Sequence, residues 1–388
     1  MTTERITFKI SAPGRIVLSG EHSAMYRKHF VASSLNKRTT LEFTEIVESR
    51  IEINFFNIQL QFYVPLYEVL KFFSLDDHKK RDPNFVTQFV KHLITVNGMW
   101  TTFEQKFSLK LCFLMFYTIA LETELIIRPF RIEVFTELPS AIGAGLGSSS
   151  AFAVCLATCF VHWKRLQARN YNVDNDAFLN QVRNYAEQCE EYIQDYGCAP
   201  IDTNICVFGR TAKIRLTNYT TFNIENVQNM TEIKILLIDS QIRQKKCDQA
   251  KQMANMKFES PSTFNYILDK LDDLAIRTYN CINSISHYNE QVIYETLQKC
   301  IRKTHQLLKG NNLVDSEFDE ICTIANDNGF AAKLTGFGPG YVYILLPLNS
   351  TDKTVAYIVD NFERKGFKAT FTSINCEGVR IQNLFYQY

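Results

Sequence analysis

The sequence predicts an α+β chain built as two domains. Strand-like and helix-like segments alternate to the end, with no internal repeat and no low-complexity stretch. At 388 residues the chain exceeds the size at which one hydrophobic core usually stops growing. A polar stretch rich in Asn and Thr, residues 217–231, interrupts the apolar pattern and sets the boundary, giving 1–225 and 226–388.

Taken in order, residues 6–10 alternate and read as a strand, SAPGR (11–15) as a break, and 16–18 as a second short strand. Residues 39–43 and 51–56 are rich in β-branched and aromatic side chains and read as strands. The stretch 64–97 holds helical patches around a charged run, DDHKKRD (76–82), whose mixed signs mark a solvated loop and not a targeting or nucleic-acid patch. A buried helix is expected over 109–123 and a strand over 130–135. After a small-residue loop come helices over 149–166 and 176–194, then a turn and a strand near 205–208. A strand at 232–238 precedes a mainly helical region, 245–309, divided near Pro261. A helix over 315–326, a strand–turn–strand unit over 333–346, a helix over 351–365 and a strand over 368–374 complete the pattern.

Composition excludes several classes. Apolar residues make up 46% and charged residues 21%, which fits a globular chain and excludes a disordered tail or a collagen-like fibre. Lys plus Arg is 42 against 41 for Asp plus Glu, so no net field draws the chain to nucleic acid or to an anionic membrane. The longest apolar run, 111–121, is too short to span a bilayer. The N-terminus alternates like a strand and carries Glu4, unlike a secretory signal. The eleven cysteines include no CxxC pair, and Cys155 and Cys159 have no nearby cluster of His or Cys. They read as small buried thiols of a reducing compartment, which makes the expected location cytoplasmic.

Glycine is scarce at 15 residues, well below the usual share of about 7%, so its clusters mark places where the backbone needs it. The first cluster, Gly143, Gly145 and Gly147, lies in PSAIGAGLGSSSAF (139–152). Such a loop can present consecutive N–H groups, and the following helix adds unpaired donors and the positive end of its dipole. Ser148, Ser149 and Ser150 place hydroxyls where a phosphate or its magnesium would sit. The loop is neither a Walker A motif, since no Lys follows the last glycine, nor a Rossmann fingerprint. A tight strand-to-helix turn capped by Ser149 would use the same residues. The second cluster, Gly336, Gly338 and Gly340 in KLTGFGPGYVYILL (333–346), fits either a tight turn between two strands or a backbone near a polyanion. In SAPGRIVLSGEH (11–22), Arg15 could lie along a transferring phosphoryl group, and Glu21 with His22 could hold a polar substrate. In EEYIQDYGCAPID (190–202), Glu190 or Glu191 offers a carboxylate for magnesium and Asp202 one for a substrate hydroxyl; solvent-facing acids would look the same.

These four stretches, in this order, resemble the GHMP small-molecule kinases, and within them the mevalonate kinase branch. SAPGRIVLSGEHSAMY is similar to that family's first motif, ELPSAIGAGLGSSSAFAVCL to its second, and KLTGFGPGYVYILL occupies the place of its third. Weaker similarity continues in ILLIDSQIRQ (235–244) and TSINCEGVRI (372–381), so the resemblance runs the full length. It implies two lobes with the active site between them, and an ATP-dependent kinase acting on the primary hydroxyl of mevalonate in isoprenoid and sterol precursor synthesis. It implies Mg²⁺ with ATP as co-substrate, and it allows a homodimer. Gly143, Ala144, Gly145, Leu146, Gly147, Ser148, Ser149 and Ser150 would cradle the triphosphate, with Ser149 and Glu190 (or Glu191) on the magnesium. Asp202 would be the catalytic base, and Glu21 and His22 would lie near the acceptor's polar groups. Lys246, beside Lys245, falls near a family threonine and would face the substrate carboxylate or solvent. The chain departs from the pattern in having Arg15 for a lysine, Ala199-Pro200 for Ser-Gly, and Phe337, Pro339 and Tyr341 for glycines of the third motif. A related kinase for a sugar or homoserine, or a weakly catalytic sensor of the same fold, are the alternatives.

Overall fold

The apolar alternation that begins at Thr7 continues for thirteen residues as one strand, β1 (Thr7–Ser19). The expected break at SAPGR is instead a bulge. β1 pairs antiparallel with β2 (His29–Glu45), and the register passes from Pro13↔Arg38 to Gly14↔Leu35, so Asn36 and Lys37 are extra residues on β2. Pro13, which has no N–H to give to the ladder, sits where the ladder is already interrupted. The strand bends there and delivers Arg15 just beyond the bend. This computed structural model of the protein describes residues 5–139, 145–169, 174–193, 199–218, 221–229, 231–241, 246–286, 288–314, 317–336, 340–347 and 350–384.

A hairpin, β3 (Arg50–Phe55) and β4 (Leu60–Pro65), leads into α1 (Leu66–Leu70), α2 (Asp77–Lys80), α3 (Pro83–Val96) and α4 (Phe103–Thr123). The charged run expected as a loop makes one exposed helical turn, α2, in which Lys80 pairs with Asp77. α3 starts at Pro83 because Asp82 accepts the Asn84 N–H at 3.0 Å and proline is pre-set for the first turn. α4 starts in a capping box between Thr102 and Gln105. Then follow β5 (Phe130–Thr136), α5 (Ser148–Gln167), α6 (Asn175–Ile193), α7 (Ala199–Phe208), β6 (Thr211–Leu216), β7 (Phe222–Asn226) and β8 (Ile233–Asp239). The remainder is α8 (Lys246–Glu259), α9 (Pro261–Asn283), α10 (Glu290–Gly310), α11 (Glu317–Asp327), β9 (Ala332–Leu334), β10 (Tyr341–Leu345), α12 (Asp352–Glu363), β11 (Lys368–Ile374) and β12 (Arg380–Asn383).

α7 corrects a second expectation: residues 205–208 are the end of a helix and not a strand. The apolar run ICVF cannot by itself distinguish the two, and Pro200 in the first turn favours helix initiation. Ile201 and Ile205, four apart, share one face and pack with Val17, Ala32 and Ile214. This docking fixes the rotation of α7, and with it the direction of Asp202.

One sheet runs β4–β3–β5–β2–β11–β8–β10–β9, with β1 and β6 also on β2, β12 on β1 and β7 on β6. Among the described residues, every strand pairing is antiparallel except β3 with β5. α4 and α5 are apolar on most of their circumference and are buried accordingly. Their aromatic side chains meet those of the sheet: Phe8 stacks on Phe43 at 4.8 Å, and Trp163 lies 4.8 Å from Phe43 and 5.3 Å from Phe130. Burying each such ring contributes about 1.5–3 kcal/mol, which accounts for the abundance of phenylalanine. A separate cluster of Phe318, Ile321, Val342, Ile344 and Phe362 joins α11 and α12 to β8 and β10.

Nine cysteines among the described residues are free and buried. Burial pushes Cys112, Cys155, Cys189 and Cys322 up to about 12, so they stay protonated. The folded protein should therefore leave these nine unmodified by iodoacetamide at pH 8 and expose them on unfolding; mass spectrometry before and after guanidinium would count them.

Candidate active site

Arg15 leaves the bulge of β1 pointing at the start of two helices. Its Nε and Nη2 donate to Oδ1 and Oδ2 of Asp202, each at 2.5 Å, a two-pronged match of planar guanidinium to carboxylate. Its Nη1 donates to the Gly145 carbonyl at 3.2 Å, and its backbone N–H donates to the Leu146 carbonyl at 2.9 Å. One side chain thus ties a helix-borne carboxylate to the glycine loop. The side chains are 5% and 14% exposed, so the pair is desolvated but the aspartate still opens to solvent.

The loop closes on Arg15 so tightly that glycine is required at one place. Gly147 has φ +69°, and a Cβ there would lie 2.7 Å from Arg15 Cγ and 3.2 Å from its backbone nitrogen. Gly147 is followed at once by α5, whose first residues are Ser148, Ser149 and Ser150. The first-turn N–H groups of α5 and its dipole therefore face the space beside Arg15. Gly147→Ala should weaken ATP binding at least about tenfold by displacing the loop from the arginine. Calorimetric nucleotide titration beside a thermal unfolding curve checks this, and unchanged affinity in a folded variant would count against the cradle.

Ser150 and Glu190 form the next layer. Ser150 Oγ donates to Glu190 Oε2 at 2.7 Å, and Glu190 is fully buried. Glu191, its neighbour on α6, is exposed. Ser148 and Ser149 are half-buried and line an open pocket of about 80 Å³ whose other walls include Phe55, Ile58, Phe107 and Phe152. Its lining combines these apolar side chains with the hydroxyls of Thr39, Ser108, Thr136, Ser148 and Ser149, a mixture that suits a flat ring joined to an anion.

Glu21 and His22 follow β1 and Gly20, and both are buried. Lys333 Nζ, from β9, lies 2.8 Å from Glu21 Oε1, with both side chains 1% exposed. Burial alone would raise the Glu21 carboxyl, but Lys333, and then His22, hold it below the usual carboxylate range. Burial lowers His22; Glu21 opposes that and Lys333 adds to it. Thr335, two residues beyond Lys333, accepts the Val17 N–H at 2.7 Å, and a Cβ on Gly336 would lie 3.2 Å from Arg15 Nη1. The start of the second glycine cluster therefore abuts the arginine.

The structure thus brings together Arg15, Asp202, Gly145, Leu146 and Gly147, with Ser150 on Glu190 behind them. Gly143, Ala144, Lys245 and residues 337–339 lie outside the described residues, as does the side chain of Lys246, whose backbone opens α8. Lys333 went unassigned from sequence, although a lysine inside the apolar run AAKL was a usable signal.

Residues 110–210 match the family model for the GHMP kinase N-terminal domain. Mevalonate kinase of Candida albicans is 24% identical over 99% of this chain and 91% of its own length. The mevalonate kinase of Homo sapiens is 24% identical over 96% of this chain and 94% of its own. Residues 110–210 thus carry the GHMP kinase N-terminal pattern, and the chain is similar to mevalonate kinases over nearly its whole length. The fold agrees: a crystal structure of mevalonate kinase superposes with a TM-score of 0.69 at 19% identity, covering 95% of this chain and 99% of that one. The Methanococcus jannaschii mevalonate kinase gives 0.68 at 18%, covering 99% and 100%. Lactococcus lactis galactokinase, at 0.59 and 17% with 98% and 95% covered, shares the architecture, so the GHMP fold alone does not select the acceptor. The matched residues 110–210 contain α5, Glu190 and Asp202, whereas Arg15 and Lys333 join this cluster from outside them.

Proposed function

We propose that this chain is an ATP-dependent mevalonate kinase, moving the γ-phosphoryl group of ATP to the primary hydroxyl of (R)-mevalonate to give 5-phosphomevalonate and ADP. The observation that carries the chemistry is Arg15 bridging Asp202 and the Gly145 carbonyl, which puts a carboxylate and a fixed cation at the phosphate loop. The acceptor is supported by the near full-length similarity to curated mevalonate kinases.

Phosphoryl transfer requires positioning and charge neutralisation more than covalent participation. The N–H groups at the start of α5 would hold the phosphates, and the cavity behind Ser148 and Ser149 would take the base and ribose. Asp202 would accept a hydrogen bond from the acceptor hydroxyl and take its proton as the new P–O bond forms and the bond to the ADP oxygen breaks. Arg15 would keep both carboxylate oxygens aimed and stabilise charge on the moving phosphoryl group. A carboxylate and serine hydroxyls form a hard-oxygen donor set that fits magnesium, with Ser149 and Glu190 as its proposed ligands and Ser150 orienting Glu190. Bound there, magnesium would neutralise charge on the nucleotide phosphates.

The division into 1–225 and 226–388 belongs to the same proposal, supported by a sheet in which strands of the first part precede those of the second along the main path. A cytoplasmic setting is supported by the free, buried cysteines; no helix among the described residues is long and apolar enough to cross a membrane. The test is a panel of acceptors with an ADP readout. Mevalonate should give a kcat/KM at least about a hundredfold above galactose or homoserine, and a preference for either of those would overturn the assignment.

A further inference from the structure

We propose that Lys333 is a positioning residue for the acceptor end of this site, its buried ammonium fixing Glu21 so that Oε2 remains to accept a hydroxyl of the substrate. This rests on the reading of the chain as an alcohol kinase. Three contacts define the role. Lys333 Nζ lies 2.8 Å from Glu21 Oε1, donates to the Leu334 carbonyl at 2.8 Å, and stands 5.6 Å from the centre of the Tyr343 ring. Two of the three ammonium donors are turned to Glu21 and to the Leu334 carbonyl, the Tyr343 ring lies alongside, and the side chain is 1% exposed, so Lys333 is placed to hold Glu21 and not to reach a substrate itself. Glu21 is different. Its carboxylate is buried, Oε1 meets Lys333 as an ion pair, and neither oxygen has a hydrogen-bond partner among the described residues, which leaves Oε2 with no partner of either kind there. A buried acceptor left in that state is costly in the fold and is expected where a ligand completes it.

The pair is also well placed. Lys333 faces Tyr343 across the β9–β10 ladder, and the Tyr343 hydroxyl donates to the Leu18 carbonyl at 3.0 Å, close before Glu21. Two residues past Lys333, Thr335 holds Val17, and Gly336 abuts Arg15. The short segment 333–336, the end of β9 and the two residues after it, therefore braces both the phosphoryl-transfer arginine and the glutamate. The other titratable groups that act on this pair are His22 and Tyr343 at Glu21, and His22, His305 and Cys322 at Lys333. His22 is lowered by burial, while Tyr343 and Cys322 are raised by it, so Lys333 is the cation that keeps Glu21 charged.

A double-mutant cycle tests this. Lys333→Met should raise the KM for mevalonate about tenfold or more at pH 7, with the MgATP dissociation constant unchanged. The effect should grow as pH falls, because an unpaired buried Glu21 takes up a proton in a range where the wild type stays ionised. Glu21→Gln should raise the same KM without the added pH dependence, and Lys333→Met on the Glu21→Gln background should add nothing. A KM increase equal in both backgrounds, or an equal loss of MgATP affinity, would overturn the proposal, as would no change at all. Should Lys333→Met alone fail to fold, the double variant, which removes both charges, is compared with Glu21→Gln; a higher mevalonate KM in the double overturns the proposal, and equality supports it. Wild-type turnover of mevalonate judges the functional reading separately. If it were absent, the Glu21 carboxyl of ¹³C-glutamate-labelled protein would be titrated by NMR, assigned with Glu21→Gln. An upward displacement of its midpoint in Lys333→Met, or in Lys333→Gln if Met does not fold, supports the hold on Glu21, and no displacement overturns it.

Discussion

Arg15→Met should lower kcat by about 10²–10³-fold, the range seen when a charge-stabilising donor is removed from a transferring group. The KM for mevalonate should change much less, because the cation acts most strongly as charge builds on the moving phosphoryl group. Methionine fills similar space but leaves Asp202 without either of its guanidinium donors and the Gly145 carbonyl without its side-chain contact. Losing one partner of a desolvated pair costs up to about 3–5 kcal/mol, and the residual exposure of Asp202 lets water replace part of it. A lower melting temperature is therefore expected alongside the lower rate, and kcat is to be read where both proteins are folded. Arg15→Lys should be intermediate: it keeps the charge but reaches only one carboxylate oxygen at a time. Equal kcat for wild type and Arg15→Met would remove the arginine from the mechanism.

Asp202→Asn should lower kcat by about 10²–10⁴-fold, with MgATP affinity nearly unchanged. Two physical losses combine. The amide offers no proton acceptor comparable to a carboxylate, and its NH₂ would face one of the two guanidinium donors that now meet oxygens, turning an attraction into a donor–donor clash. Part of the rate loss would thus come from displacing Arg15. Ile201 and Ile205 hold α7 to the sheet, so the helix itself should survive. A surface aspartate would instead lose only a few tenths of a kcal/mol of stability and keep its rate. Steady-state ADP release at saturating mevalonate, paired with MgATP titration, separates these outcomes, and loss of MgATP binding would show that Asp202 and Glu190 have exchanged roles.

Much of this centre was legible in the sequence because its parts are local. Scarce glycines before three serines, an arginine in SAPGR and an acid in APID are each short patterns, and their order carried the family resemblance. The exposed Glu191 and buried Glu190 show what pattern alone left open: two adjacent acids on one helix differ only by which face packs. The turn at SAPGR was misread because proline and glycine mark both chain breaks and bulges, and only the partner strand, with its two extra residues, decides between them. The helix Ala199–Phe208 reads from sequence as a turn followed by a strand near 205–208, because a four-residue apolar run has no period. Lys333 and Glu21 are far apart in the chain, and no local signal pairs them.

The most direct measurement of the central claim is ³¹P NMR of the protein with MgATP and (R)-mevalonate, run in parallel with Asp202→Asn. If the Arg15–Asp202 centre transfers a phosphoryl group to the acceptor hydroxyl, the wild type should convert the ATP resonances into those of ADP and a phosphomonoester in equal amounts, and Asp202→Asn should do so about a hundredfold more slowly or worse. Formation of ADP with inorganic phosphate and no monoester, or equal rates in the two proteins, would contradict the account.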